Sequence, residues 1–190
     1  MPPVEWVAVA LALAYLGLAI RQNPWCWAFA VVSAAMYALI FARAGLVMQA
    51  ALQLFFVGMA LYGWRTWRGG RAAPPARVTR WPLLRHATAI AVVVFIATVN
   101  GALLPDGDAA ARWVPYADAA IAWGSVLATW LVARKLIENW WYWVVIDLAA
   151  TVLYGSQGLH ATAGLYLLYA ALAVRGYFAW REDERHVAVG

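Results

Sequence analysis

Asn139-Trp140-Trp141-Tyr142-Trp143 echoes an earlier stretch, Asn23-Pro24-Trp25-Cys26-Trp27, at a distance of 116 residues. The end of the earlier unit, Gly63-Trp64-Arg65-Thr66-Trp67, returns as Gly176-Tyr177-Phe178-Ala179-Trp180 at a distance of 113. The difference of three is expected to be a deletion in the intervening turn, where Ala42-Arg43-Ala44-Gly45-Leu46 shortens to Ser156-Gln157-Gly158-Leu159. A duplicated unit in an apolar chain is the pattern of a transporter assembled from repeats, with its substrate held where the repeats meet.

Apolarity sets the class. Hydrophobic residues make up 66% of the chain and charged residues 12%, where a soluble domain carries about a quarter charged. Seven apolar runs approach the roughly 20 residues that a bilayer-crossing helix needs. They are Val4 to Ile20, Pro24 to Phe41, Leu46 to Trp67, His86 to Leu104, Tyr116 to Ala133, Trp140 to Tyr154, and His160 to Trp180. The runs are continuously apolar rather than alternating, which selects helices over a barrel. The expected fold is all-α, a polytopic membrane protein with seven transmembrane helices.

Charge orients it. With seven spans, Arg21, Arg65, Arg68, Arg71, Arg77, Arg80, Arg85, Arg134, Lys135, Arg175, Arg181 and Arg185 fall on one side, and only Arg43 and Arg112 on the other. Such a bias is expected to put the N-terminus outside and the C-terminus in the cytoplasm. It also accounts for the net charge of +5 without a nucleic-acid partner, for which no basic-aromatic surface motif is present. Glu5 at the start of the first run, with no basic residue before it, predicts a retained span rather than a cleaved signal.

Spans one to three form the first repeat (residues 1–67) and spans five to seven the second (116–181). The basic loop and linker helix occupy 68–115, and 182–190 is expected to be a cytoplasmic tail. Three spans invert the chain, and the linker helix restores its direction. The repeats are then parallel in a 3+1+3 arrangement. Gly69-Gly70-Arg71-Ala72-Ala73-Pro74-Pro75 has linker composition, and Pro105 to Pro115 forms the loop on the other face.

Candidate binding residues concentrate in the sixth span. Asn139, Trp143, Asp147 and Thr151 recur every four residues on one face, continued by Tyr154, with Trp140 one turn from Trp143. A carboxylate near mid-span costs several kcal/mol unless paired or wetted, so Asp147 marks a site or a strong interhelical bond. Asn139 and Asn23 are also candidate helix caps. Gln49 and Gln53 share a face of the third span, and their counterparts at 113 are Thr162 and Tyr166. Tyr37 and Ser33 join them from the second span, whereas Asn100 fits helix–helix bonding. Amides, hydroxyls, aromatic faces and one acid suit a flat, polar, cationic molecule.

Other chemistries are excluded. The single Cys26 allows no intrachain disulfide, and His86, His160 and His186 are too dispersed for a metal set. No cofactor site is expected. Gly155-Ser156-Gln157-Gly158 with His160 lacks a spatially independent base for hydrolysis, and no phosphate-binding glycine loop is present. The chain is expected not to be an enzyme.

An ordered set of residues, Ala44-Gly45-Leu46, Gln49, Gln53, Tyr62-Gly63-Trp64, Trp67, Arg134-Lys135-Leu136, Glu138-Asn139-Trp140, Trp143, Asp147, Leu153-Tyr154, Gly158-Leu159, Gly176-Tyr177 and Trp180, resembles the PnuC family of vitamin-precursor transporters. The resemblance covers about Gln22 to Arg181. It implies a SWEET-like helix arrangement, a homotrimer, and facilitated diffusion of nicotinamide riboside with trapping by phosphorylation inside the cell. It places the aromatic pocket on Trp140 and Trp143, with Asn139, Asp147, Gln49 and Gln53 as polar partners. The repeat and the faces of the spans add Asn23, Trp27, Tyr37, Tyr154 and Tyr166 as further substrate-binding candidates. Thiamine or another B-type vitamin is an alternative cargo, and a non-translocating sensor or subunit is an alternative class.

Overall fold

The computed structural model describes residues 3–43, 45, 47–69, 76–103 and 112–189. Among them seven helices follow one another: α1 (Pro3–Ile20), α2 (Cys26–Arg43), α3 (Val47–Arg68), α4 (Leu83–Ala102), α5 (Val114–Ala133), α6 (Asn139–Ser156) and α7 (His160–Val189). Each coincides with an expected apolar run. Most of the Gly69–Pro75 linker and of the Pro105–Pro115 loop lies outside the described residues, as does the Gln49 side chain. Pro82 precedes α4 and Pro115 sits in the first turn of α5, where a missing N–H costs nothing. Helices α2, α4 and α5 are long and apolar enough to cross a bilayer. The amides and arginines of α3, the aromatic-rich start of α6 and the charged end of α7 dilute the apolarity of those three.

α7 differs from expectation. It runs 30 residues, through the segment assigned to a tail. Nothing between Trp180 and Val189 breaks it, since Arg181 to Arg185 holds neither glycine nor proline.

The chain divides into two compact units. The first comprises Met1–Val78, Val132–Lys135 and Ala179–Gly190. Its core is tryptophan. Trp27, Trp67 and Trp180 are almost fully buried. Trp67 meets Trp27 edge-on at 5.5 Å and Trp180 at 5.7 Å between ring centroids. Trp27 lies against Gly63, where a Cβ would collide with the indole. The Trp67 Nε1–H donates to the Val132 carbonyl at 3.1 Å, and the Trp180 Nε1–H donates to the Ala19 carbonyl at 3.1 Å. Lys135 Nζ donates to Gln22 Oε1 at 3.0 Å and lies 4.8 Å from the Trp67 ring centroid, and Gln22 Nε2 donates to Asp183 Oδ2 at 2.6 Å. Burial holds the Lys135 ammonium below its usual pKa, opposed by Cys26 and Asp183.

The second unit comprises Thr79–Leu131 and Leu136–Phe178. Trp140 lies against Gly176 of α7, where a Cβ would come within 2.6 Å of the indole. Tyr116 covers Gly101 in the same way. The Ile137 N–H donates to the Thr79 carbonyl at 3.0 Å, tying the start of the unit to the entrance of α6.

These contacts correct the repeat register. Two turns have the same backbone. Gln22 N–H reaches the Ala19 carbonyl at 3.0 Å and Asn23 N–H the Leu18 carbonyl at 2.9 Å; Lys135 and Leu136 make the same bonds to Val132 and Leu131 at 2.9 and 3.0 Å. This Schellman pattern ends α1 and α5 on residues of left-handed conformation, Gln22 and Lys135, both at φ 52°. Gly45 and Gly158 both have φ 75° after α2 and α6. The pairs Gln22/Lys135, Trp27/Trp140, Gly45/Gly158, Gly63/Gly176 and Trp67/Trp180 all lie 113 apart. The expected deletion does not exist. Trp27 is the counterpart of Trp140 rather than of Trp143, and Asn139 is the counterpart of Cys26 rather than of Asn23. The tryptophan-rich stretch supports two self-alignments, and the glycine contacts select this one.

Candidate functional site

In the second unit α6 carries the candidate residues on one side. Trp143, Asp147 and Thr151 follow at one-turn intervals. Trp143 is half-buried, while Asp147 is only 4% exposed. The Thr151 hydroxyl donates to the Asp147 carbonyl at 2.8 Å and approaches the Ala163 carbonyl of α7 at 3.4 Å. One turn on, Tyr154 stacks with Tyr166 of α7, centroids 5.2 Å apart and planes 21° from parallel. Tyr169 meets Tyr166 edge-on at 5.8 Å. No cation among the described residues is seen to act on the Asp147 carboxylate. A buried acid without such a partner is expensive, and a cationic ligand among aromatic faces would offset the cost.

Asn139 opens α6 and is fully buried. Its Nδ2 donates to the Leu136 carbonyl at 2.7 Å, and its Oδ1 is buried without a hydrogen-bond partner among the described residues. The residue before it, Glu138, occupies the cap position. Asn139 is therefore not the cap, and its Oδ1 is the unsatisfied half of the amide.

Several other candidates do different things. Trp140, 1% exposed, fills the space over Gly176. Its ring is a packing element, and a stacking role against substrate does not fit that burial. Trp27, 1% exposed over Gly63, is the same element in the first repeat. Asn23 accepts the Trp25 N–H at 3.0 Å, which makes it a turn-capping residue of the α1–α2 connection. Tyr37 stacks on Phe41 at 5.9 Å within α2, and Gln53 is half-buried on α3. Both belong to the first unit.

At the 113 register, Trp143 and Asp147 correspond to Ala30 and Ala34, and Tyr166 to Gln53. The acid and its neighbouring indole thus belong to the second copy alone. Sequence reasoning missed the Trp27–Gly63 and Trp140–Gly176 pairs. The signal was the constant spacing of the glycines, which a tryptophan-led alignment overrode.

Seven helices among the described residues, three of them long and apolar enough to cross a bilayer, and a buried acid beside aromatic rings fit a multi-pass membrane protein of the small-molecule transporter class. Residues 2–182 match the sequence profile of the nicotinamide mononucleotide transporter family. The chain belongs to that family, the PnuC-type transporters. It is 28% identical over 193 residues to the riboflavin/roseoflavin transporter RibM of Streptomyces davaonensis, covering 98% of this chain and 90% of that protein. It is 24% identical over 208 residues to the nicotinamide riboside transporter PnuC of Escherichia coli, covering 96% and 86% respectively. The crystal structure of the vitamin B3 transporter PnuC has the same fold, with a TM-score of 0.67 at 19% identity over 95% of this chain and 83% of that one. These relatives are transporters, not enzymes.

Proposed function

We propose that the chain takes up nicotinamide riboside by facilitated diffusion across a bacterial inner membrane, as a homotrimer, with phosphorylation inside the cell trapping the cargo. The observation that carries the choice of cargo is Asp147, 4% exposed in α6 beside Trp143 and the Tyr154–Tyr166 stack. Nicotinamide riboside is a pyridinium, and its charge complements a buried carboxylate flanked by aromatic faces. The carboxamide and ribose hydroxyls suit the spare Asn139 Oδ1 and the tyrosine hydroxyls of the same unit. Two like-oriented repeats working by alternating access, with the N-terminus outside, agree with the distribution of arginines.

A second cargo, riboflavin, is favoured by the similarity to RibM. Its ring system is neutral, which leaves the charge on Asp147 without a purpose. Thiamine is cationic and remains a rival on the same chemistry. Equilibrium binding of all three to purified protein separates them. Nicotinamide riboside binding that is lost in Trp143→Ala and weakened in Asp147→Asn is the expected result. Tight riboflavin binding without measurable nicotinamide riboside binding would reassign the cargo. Counterflow in liposomes excludes a sensor that binds and never translocates.

A further inference from the structure

On the other side of α6 the second unit holds a cavity of about 440 Å³, within the roughly 300–1,000 Å³ common for small-molecule pockets. Its walls come from α4, α5 and α6. Ile90, Leu127 and Val145 supply apolar surface, and His86, Glu138 and Tyr142 gather where α4 and α6 begin. Ile90 and Val145 are 48% and 67% exposed, so the cavity opens to the outside of the helices. In a membrane-spanning chain an apolar opening of this kind lies within reach of lipid acyl chains.

The polar end is incompletely satisfied. His86 Nδ1 and Tyr142 Oη are 2.9 Å apart. His86 Nε2 lies 4.0 Å from Glu138 Oε1, too far for a hydrogen bond. Nε2 and Glu138 Oε2 are both buried without hydrogen-bond partners among the described residues, their side chains 13% and 19% exposed. Trp81 packs on His86 at 5.5 Å, and Trp130 on Trp81 at 5.3 Å. When His86 Nδ1–H donates to Tyr142, Nε2 presents a lone pair beside the carboxylate. The missing group is then a donor to two acceptors at once, cationic, and set among aromatic rings. An apolar tail must lead from it along Ile90, Leu127 and Val145.

We propose that this cavity binds one phospholipid with a primary ammonium head group, its N–H groups donating to Glu138 Oε2 and His86 Nε2 and an acyl chain occupying the space between α4, α5 and α6. Arg85, exposed in the first turn of α4, stands at the same helix end, at the level where basic residues meet lipid phosphates. A quaternary choline head has no N–H to give, and a glycerol head carries no cation. The site thus discriminates by donor count and charge.

The test is native mass spectrometry of the purified full chain, offered equal amounts of phosphatidylethanolamine, phosphatidylcholine and phosphatidylglycerol with identical acyl chains. Charge-assisted bonds predict retention of the ethanolamine lipid about tenfold above either competitor. Glu138→Gln is expected to bring the three lipids to parity, and His86→Phe to reduce the preference. Equal retention by the unaltered protein overturns the proposal, as does a preference that survives in Glu138→Gln. If Glu138→Gln does not fold, His86→Phe and the wild-type ratios decide. Nicotinamide riboside binding plays no part in this readout, so its outcome stands apart from that of the transport assignment.

Discussion

Trp140 and Trp143 stand three residues apart on α6 and carry different burdens. Trp140, 1% exposed, rests on Gly176, so Trp140→Ala opens a cavity costing about 3–5 kcal/mol. Its thermal stability should collapse, whatever substrate is present. Trp143, half-buried beside Asp147, is expected to tolerate alanine: the variant should insert and elute as wild type yet lose nicotinamide riboside uptake. Uptake assays paired with size-exclusion chromatography separate these outcomes. Normal uptake by Trp143→Ala would remove it from the site. Asp147 was legible in the sequence as a candidate because an acid in an apolar helix needs a reason, and its burial at 4% exposure agrees. The division of labour between the two indoles was not, since it depends on which of them meets a glycine on another helix.

At the scale of elements, the repeat is written most clearly in its turns and glycines. Gly63→Ala and Gly176→Ala each force a Cβ into an indole, and both variants are expected to lose stability severely in thermal-shift measurements. Tolerance of either would contradict the packing. Gly158 meets nothing within 4 Å but holds φ 75°. Gly158→Ala should therefore cost only about 1 kcal/mol, from backbone conformation alone. The same thermal-shift series measures the difference between collision and strain. Seven helices and their approximate limits could be read from apolar runs, because a bilayer leaves few alternatives. The register could not, because Asn-x-x-x-Trp occurs at Asn23 and Asn139 by coincidence of an aromatic-rich interface. The Schellman turns at Gln22 and Lys135, with their matching bonds, and the tryptophan–glycine contacts reveal the spacing of 113. The extension of α7 to Val189 was hidden for a simpler reason: a charged segment reads as a tail until its unbroken helical hydrogen bonding is seen.

At the scale of the whole molecule, the two copies are not equivalent. Asp147 corresponds to Ala34 and Trp143 to Ala30 at the spacing of 113 residues. Duplication supplies the doubled helices, and divergence confines the buried acid to the second copy. This acid and its indole are proposed to select a cationic vitamin precursor that passes without an energy source. Counterflow into liposomes preloaded with unlabelled nicotinamide riboside tests it most directly. Labelled nicotinamide riboside should accumulate transiently without ATP or an ion gradient, external riboflavin should not compete, and Asp147→Ala should abolish the signal. Absence of accumulation in the wild type, or its suppression by riboflavin but not by nicotinamide riboside, would contradict the account.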